Sequence, residues 1–253
     1  TTTVGLIWSP EFADLKISAD YFEINVEDEV GQLSAAQIVA GCYYSDSFPN
    51  DPLCRQFDRD PIMGHVDNIK ASYINIAQQE NRGWDLSIQY RTEIPWGELI
   101  VDTQHTFQIG DSYKLYTDSE DINTNGELGD PKWTGRLSAT LLRGDWEYYY
   151  NVNIIGEADN YDGDGGNTAS YRGEEVRVVL HADRVLYHTL SASYFFQDYE
   201  TQVRFGITNL TDEKPPRVTT LGLGELSTMG NSAFYSQYNW VGRSFFFNVT
   251  KDL

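Results

Sequence analysis

The segment Trp84-Asp85-Leu86-Ser87-Ile88-Gln89-Tyr90-Arg91 places an apolar side chain at every even position and a polar one at every odd position. Successive side chains of a β-strand point to opposite faces, so this period of two predicts a strand with one apolar and one polar face. The same alternation recurs around residues 15–21, 146–154, 203–208 and 244–250. The sequence therefore predicts an all-β protein.

The connections between the predicted strands follow a regular order. The strands cover residues 2–9, 14–27, 69–92, 97–109, 132–143, 145–157, 184–197, 200–210 and 240–252. Short and long connections alternate along the chain without exception. In an antiparallel meander this order puts every tight turn at one end of the sheet and every long loop at the other, which is typical of transmembrane β-barrels.

The composition excludes some classes of function. Of the 253 residues, 38 are acidic and 18 are basic, giving a formal charge of −20 that argues against nucleic-acid binding. No apolar stretch approaches 18 residues, so a transmembrane helix is excluded, although a membrane strand is not. The two cysteines, Cys42 and Cys54, are too far apart for a C-x-x-C redox motif and favour a loop disulfide in an oxidising compartment.

Aromatic residues lie beside the predicted short turns: Trp8, Trp96, Trp146 and Phe196. Aromatic side chains at one level form the girdle of a membrane barrel, although a tryptophan can also cap a soluble barrel. Nine strands is an odd number, whereas bacterial single-chain barrels normally close with an even number. Either one strand is miscounted or the barrel continues upstream of Thr1.

Several segments resemble TonB-dependent outer-membrane receptors. Residues 203–216 (VRFGITNLTDEKPP) resemble the family's penultimate strand and its Asn-Leu-Phe-Asp-like motif, with Thr211 in place of Phe. Residues 238–247 resemble the final strand, in which Gly-Arg is followed by alternating aromatic residues, and residues 73–86 resemble the long descending strand. The loop 34–54 is similar to a disulfide loop found in a subset of these receptors.

The resemblance implies both a fold and a function. The fold is an antiparallel transmembrane β-barrel of 22 strands around an N-terminal plug, of which residues 1–253 form about the last nine strands. The location is the bacterial outer membrane, with long loops extracellular and short turns periplasmic. The function is TonB-energised uptake of a scarce nutrient, namely a siderophore, cobalamin, an oligosaccharide or a peptide, without covalent catalysis. The implied partners are the protein's own plug and missing strands, the TonB complex acting through the plug, lipopolysaccharide with outer-membrane lipid, and a small nutrient ligand.

The first long loop contains the predicted ligand-binding residues. Ser34-Ala35-Ala36-Gln37 is a capping-box pattern, and Gly41 is placed to end a helix of one to two turns. A disulfide between Cys42 and Cys54 would keep the loop ordered in water, either for ligand capture or for protection from proteolysis. The aromatic side chains inside this ring, Tyr43, Tyr44 and Phe48, are the candidates for contacting ligand.

Two further sets of residues are candidates for polar sites. Those expected to face the lumen are Asp85, Gln89, Arg91, Asp102, Gln104, Arg136, Asn151, Asn153 and Arg204. Oxygen-bearing side chains in two long loops could hold Ca²⁺: Asp121, Asn123 and Asn125 in one, and Asp162 and Asp164 in the other. Position twelve of the first set is Lys132 instead of a bidentate Glu, so a solvated acidic turn is favoured for both and no tight calcium site is expected. A divalent ion bridging these loops to lipopolysaccharide phosphates is the alternative.

Two other functions compete with nutrient uptake. An autotransporter-type translocator would be a C-terminal barrel of similar length that closes by itself. A secreted, soluble β-sandwich that binds carbohydrate could use the same aromatic residues, and its apolar faces would pack against each other.

Overall fold

Nine long strands make up most of the protein. The computed structural model describes residues 1–45, 47–71, 73–114, 121–159, 168–171, 173–177, 179–218, 228–229, 232–233 and 237–251. The long strands are β1 (Thr2–Trp8), β2 (Asp14–Gln32), β3 (Tyr73–Ile94), β4 (Gly97–Lys114), β5 (Trp133–Arg143), β6 (Trp146–Ile155), β7 (Val185–Phe196), β8 (Thr201–Thr208) and β9 (Ser244–Lys251). The predicted all-β class and all nine predicted strands are confirmed.

The order of the long strands in the sheet follows the chain from β1 to β9. Strand β1 pairs antiparallel with β2, and from β4 onward each strand pairs antiparallel with the next strand up to β9. The connections are short after β1, β3, β5 and β7 and long after β2, β4, β6 and β8. The predicted alternation of short and long connections is therefore confirmed. At Gly144, in the tight turn after β5, φ is +57°, a conformation that glycine adopts without strain.

Short elements occupy the long connections. The short strands are Asp58–Arg59 paired with Val66–Asp67, Ala158–Asp159 with His181–Ala182, Thr168–Tyr171 with Glu174–Arg177, Thr228–Met229 with Ser232–Ala233, and Ile122–Asn123 with β4. Helix α1 spans Ala35–Tyr44, and 3₁₀ turns span Pro52–Arg55 and Gln197–Tyr199. None of the helices in the described ranges is long and apolar enough to cross a membrane.

The chain divides into two compact units. The first comprises Thr1–Glu23, Arg82–Gly110 and Thr124–Leu253, and it holds most of the sheet. The second comprises Ile24–Asn81 and Asp111–Asn123, and it holds helix α1 and the disulfide.

The register of the sheet separates an apolar face from a polar face. Arg136 of β5 pairs with Asn153 of β6, whereas the next residue, Leu137, pairs with Val152. The pattern continues to the last strand, where Phe205 pairs with Phe247. Large side chains on this apolar face stay exposed in the isolated chain: Leu6, Leu190, Phe205, Phe245, Phe247 and Val249. An apolar surface of this extent requires a cover, and lipid supplies one for a transmembrane barrel.

The buried cores lie mainly outside the sheet. In the second unit, Leu33, Ile38, Cys42, Leu53 and Phe57 form one cluster. In the first unit, three of the long connections contribute to a second cluster, which contains Leu128, Ala158, Ala182 and Val218. A third cluster joins the loop residue Tyr238 to Ile155, Val185 and Tyr187 at the ends of β6 and β7. The long connections are therefore folded structures with their own apolar packing.

Candidate functional site

Helix α1 begins at a complete capping box, as predicted. The Ser34 hydroxyl accepts a hydrogen bond from the Gln37 amide at 3.2 Å, and the Gln37 side-chain oxygen accepts one from the Ser34 amide at 2.9 Å. The predicted end of the helix at Gly41 is wrong, because the helix continues to Tyr44. A glycine inside a helix costs about 1 kcal/mol relative to alanine. Burial of Cys42, which is 1% exposed, offsets that cost by fixing the last turn against the loop core.

The predicted disulfide between Cys42 and Cys54 is confirmed. It joins α1 to the 3₁₀ turn Pro52–Arg55, with the two Cα atoms 4.9 Å apart. Closing a ring of this length stabilises a loop by about 3 kcal/mol in the chain-entropy description. The aromatic segment between the two cysteines is thus held on a small core of its own.

Three aromatic rings and a guanidinium lie together on this loop. The Tyr43 and Phe48 rings stack with centroids 5.3 Å apart, and Tyr43 lies 6.5 Å from Phe57. The Arg59 guanidinium lies 5.3 Å from the Tyr43 ring centroid and 5.8 Å from that of Phe57. We call Tyr43, Phe48, Phe57 and Arg59 the aromatic platform.

Part of the aromatic platform is accessible from solvent, whereas Phe57 belongs to the buried cluster and is 8% exposed. Tyr43 is 42% exposed and Phe48 is 49% exposed. Within the described residues, Arg59 makes no ion pair. The cation attracts an anionic or electron-rich ligand, and the ring faces pack against a planar one. The platform therefore favours a ligand that has both properties.

A tight turn holds Arg59 in position. Its guanidinium donates to the Gly64 carbonyl at 2.6 Å, and the Asp60 carboxylate accepts from the Met63 and Ile62 amides at 2.6 and 2.8 Å. The hydrogen bond from the Met63 amide, followed by that from Ile62, keeps the pKa of Asp60 below its ordinary value. The Asp60 carboxylate is therefore ionised at neutral pH and keeps both hydrogen bonds of the turn.

The platform differs in composition from the predicted set of ligand-contacting residues. Tyr43 and Phe48 come together, but Tyr44 is 88% exposed and makes no ring contact among the described side chains. Phe57 and Arg59 were missed by the sequence analysis. The run Asp58-Arg59-Asp60-Pro61-Ile62-Met63-Gly64 carries turn residues that indicate a hairpin, but this local signal does not show that the hairpin packs Arg59 against the rings.

The residues predicted to face the lumen lie on the polar face of the sheet and are linked by polar contacts. Arg204 pairs with Glu147 at 2.9 Å, and Arg136 donates to the Tyr149 hydroxyl at 2.7 Å. Asn151 donates to the Leu137 carbonyl. In register terms Gln104 lies beside Arg136, and Asn153 lies on the other side of the same arginine.

A cavity of about 420 Å³ on the polar face, near the short turns, is lined by further residues that were predicted to face the lumen. Gln89, Arg91 and Asp102 line it together with Asp14 and Lys16. Arg91 pairs with Glu98 at 3.0 Å, and Asp85 accepts a hydrogen bond from Thr106 at 2.6 Å. That this polar face lines the lumen stays a prediction.

The candidate calcium ligands are only partly described. Asp121 pairs with Lys114 at 3.5 Å, Asn123 lies opposite Ser112 in a strand pair, and Asn125 is buried. Asp162 and Asp164 lie outside the described residues. In the part of the chain that the structure describes, no group of three His, Cys, Asp or Glu side chains is close enough to hold a metal ion. The expectation that these loops are solvated acidic turns without a tight calcium site stays untested.

Comparison with known proteins reveals one family. A sequence profile for "TonB dependent receptor-like, beta-barrel" matches residues 1–210, whereas no curated protein sequence matches the chain. Among solved structures, a mutant of the ferric enterobactin receptor PfeA from Pseudomonas aeruginosa has a TM-score of 0.56 at 15% identity. The FrpB iron transporter from Neisseria meningitidis gives 0.56 at 13%, and the siderophore receptor PirA from Acinetobacter baumannii gives 0.55 at 13%.

These alignments cover nearly all of this chain and a minor part of each structure. They take in 98% of this chain and 30% of each of the three proteins. At such identities the likeness shows the fold, in which an antiparallel sheet forms part of a receptor barrel. Because the family profile matches most of its residues, the chain belongs to the TonB-dependent receptor β-barrel family.

Proposed function

We propose that this chain is part of an outer-membrane receptor that takes up a scarce iron chelate in a process energised through TonB. Members of the family are outer-membrane transport receptors, and this assignment replaces the autotransporter and soluble-sandwich alternatives. We further propose that the barrel encloses a plug, that TonB acts through that plug, and that the chain performs no covalent chemistry.

The proposed orientation places the short turns in the periplasm and the long loops outside the cell. Outer-membrane barrels have short periplasmic turns and longer extracellular loops. Four tight turns at one end of the sheet and four long connections at the other match this asymmetry. The aromatic platform lies in the first of the long connections, and in this orientation it faces the medium.

The observation that carries the proposed substrate class is the aromatic platform. Its rings and its guanidinium suit a ligand that is both aromatic and anionic, and ferric chelates of aromatic acids have both properties. The names of three structurally similar proteins, a ferric enterobactin receptor, an iron transporter and a siderophore receptor, are consistent with this class. Oligosaccharides lack aromatic surface, and a peptide has both properties only where its sequence supplies them.

The experiment compares binding of ferric chelates by the whole receptor and by three variants. Arg59→Gln and Tyr43→Leu each remove one component of the platform, whereas Tyr44→Leu changes a neighbouring, exposed tyrosine of the same helix. We expect dissociation constants for an aromatic, anionic ferric chelate to rise about tenfold for the first two, on the scale of one partly desolvated cation–π or charge-assisted contact. The control should bind as the unchanged receptor does. Equal binding by all four proteins would refute the role of the platform.

A second comparison tests whether the stapled loop is needed for binding. Deleting residues 42–54 removes half of the platform and the disulfide, and it should abolish binding of the chelate. Unchanged affinity after deletion would rule out this role. Uptake of radiolabelled iron, measured with and without an uncoupler of the proton gradient, tests energisation separately, because binding should persist when uptake stops.

A further inference from the structure

A second cavity opens on the polar face of the sheet, at the end that carries the long loops. Tyr187 of β7 pairs with Asn153 of β6, which pairs in turn with Arg136 on the polar face. The cavity volume is about 320 Å³, at the small end of the range for small-molecule sites. Every side chain that lines it is uncharged, and the lining includes Asn153, Tyr187, Thr189, Thr208, Gln237 and Tyr238.

The wall of this cavity is folded in the absence of a ligand. Tyr238, from the long connection after β8, packs in the buried cluster that also contains Tyr187 at the start of β7. The Asn239 amide donates to the Tyr187 hydroxyl oxygen at 2.9 Å. The Asn239 side-chain oxygen accepts hydrogen bonds from two further loop amides, each at 3.0 Å. The loop is therefore fixed to the ends of the strands.

Two polar groups in this wall are buried without a partner. Tyr238 is 4% exposed, and within the described part of the chain its hydroxyl makes no hydrogen bond. The side-chain nitrogen of Gln237 is also buried, and it finds no acceptor among the described residues. Buried polar groups in native proteins are nearly always hydrogen-bonded, so these two require a bound molecule that supplies the missing partners.

The available groups call for a ligand that both donates and accepts hydrogen bonds. Burial raises the pKa of Tyr238, and the neighbouring Gln237 side chain lowers it by less, so the phenol stays protonated at neutral pH. A protonated phenol donates and accepts, whereas an amide nitrogen only donates. The Tyr187 oxygen already accepts from the loop, which leaves its own proton to donate.

The absence of charge in the lining restricts the ligand further. A charged group that enters a cavity lined by neutral side chains loses hydration without gaining a counter-charge. Hydroxyl groups on adjacent carbon atoms donate and accept hydrogen bonds while remaining neutral. A sugar ring presents several such hydroxyl groups together.

We propose that this cavity binds a neutral, polyhydroxylated group with the chemistry of a single sugar residue, and that Tyr238 and Gln237 hydrogen-bond to its hydroxyl groups. The sugar is either free in the medium or attached to a larger ligand, and the two sources share this chemistry. The inference goes beyond uptake of an iron chelate, because no residue of the aromatic platform lines this cavity. Its place at the extracellular end of the lumen rests on the proposed orientation.

The test titrates the whole receptor in nanodiscs with three kinds of probe. The probes are free glucose, galactose and mannose, an aromatic ferric chelate, and the same chelate carrying one unit of each sugar. Tyr238→Phe removes only the hydroxyl and keeps the buried ring, and Gln237→Met removes only the amide. The matched control is Tyr199→Phe, which removes a hydroxyl from a tyrosine that is 70% exposed in the short connection after β7.

Folding of the variants is checked by heat-modifiable migration. Because the Tyr238 hydroxyl has no partner within the described residues, its removal should not lower the temperature of heat-modifiable unfolding. We expect affinity for the best-bound sugar to fall about fivefold in each variant and about 25-fold in the double variant, on the scale of one neutral hydrogen bond for each group. The control should bind sugar as the unchanged receptor does.

The outcomes identify the source of the sugar or reject the site. A loss seen with a free sugar supports a site for sugar from the medium, and a loss seen only with a sugar-bearing chelate supports a site for an attached sugar. Equal binding of every sugar-bearing probe by the unchanged receptor and a folded double variant would overturn the assignment. So would the failure of all sugars to bind, which would indicate a cavity that holds ordered water only.

The plain chelate separates this inference from the proposed function. It should bind equally to the unchanged receptor and to the variants of Tyr238 and Gln237, because they lie outside the aromatic platform. Arg59→Gln should weaken binding of the plain chelate and leave binding of a free sugar unchanged. Failure of the chelate proposal and failure of the sugar site are therefore observed with different probes.

Discussion

The turn that follows β8 depends on one buried asparagine. Replacing it by alanine and by glycine separates the cost of lost hydrogen bonds from the cost of a strained, left-handed backbone. Asn209 is 1% exposed, with φ at +51° in the left-handed region. Its side-chain oxygen accepts a hydrogen bond from the Glu213 amide at 2.8 Å, and its side-chain nitrogen donates to the Glu213 carbonyl at 2.9 Å. One side chain thus satisfies both backbone groups of a residue four positions further along.

The expected cost of Asn209→Ala is about 3 kcal/mol. Each of the two lost hydrogen bonds contributes about 1 kcal/mol. A side chain other than Asn or Gly in the left-handed region adds about 1 kcal/mol. Asn209→Gly loses the same hydrogen bonds without that strain, so its expected cost is about 2 kcal/mol.

Hydrogen exchange at a neighbouring amide measures these costs as local opening. The Leu210 amide donates to the His188 carbonyl of β7 at 2.8 Å, and neither variant removes this bond directly. Because about 1.4 kcal/mol corresponds to tenfold, the exchange rate at Leu210 should rise about a hundredfold in the Ala variant and about thirtyfold in the Gly variant. Rates within threefold of the unchanged protein in both variants would refute the account. Equal rates in the two variants would refute the contribution of φ.

Three further predictions concern other parts of the chain. Gly206→Val should lower the temperature of heat-modifiable unfolding by placing a Cβ against the Phe246 ring, and an unchanged temperature would show that the ring moves without cost. The pKa of His181 is raised because its ring shares a hydrogen bond with Asp159. The protonated ring therefore stabilises the folded state, and this contribution is complete below the unfolded pKa of about 6.5 and is lost as pH rises through the folded pKa. Exchange of the Leu128 amide, which bonds to the Asp159 carbonyl, should accelerate beyond its intrinsic pH dependence across that window, and His181→Gln should remove the extra dependence. Replacing both disulfide cysteines by serine should speed tryptic cleavage of the first long loop by about a hundredfold, the equivalent of about 3 kcal/mol, and equal cleavage rates would contradict a stapling role.

The strands could be predicted because their signal is local. Alternation in residues 84–91 depends only on neighbours two positions apart, and a barrel strand with one face in lipid retains it along the membrane. The predicted ends were less accurate where strands extend further: β2 continues from residue 27 to Gln32, and β4 continues from residue 109 to Lys114. Where both faces of a strand are polar, alternation no longer marks the end.

Only the part of the candidate site that lies within the disulfide ring could be predicted from the sequence. The ring closed by Cys42 and Cys54 keeps Tyr43 near Phe48, so this pair could be inferred from the spacing of the cysteines. Arg59 reaches the same rings through a separate hairpin, whose path no local pattern specifies. The cluster around Leu128 could not be predicted from the sequence either, because its members come from three connections that meet only after the strands have paired.

The edges of the sheet explain why these nine strands fit a sector of a larger barrel. The sheet order leaves β1 and β9 with one neighbour each, so each exposes a row of backbone amide and carbonyl groups along its free side. In hydrocarbon an unsatisfied backbone group costs several kcal/mol, and a row of them would exceed the total stability of an ordinary domain. Yet the outward side chains of both edge strands, such as Leu6 and Phe247, are apolar and exposed, which suits lipid and not water. We therefore expect further strands to pair with β1 and β9, and the receptor barrels that this chain matches, of which it covers 30%, have the length to supply them.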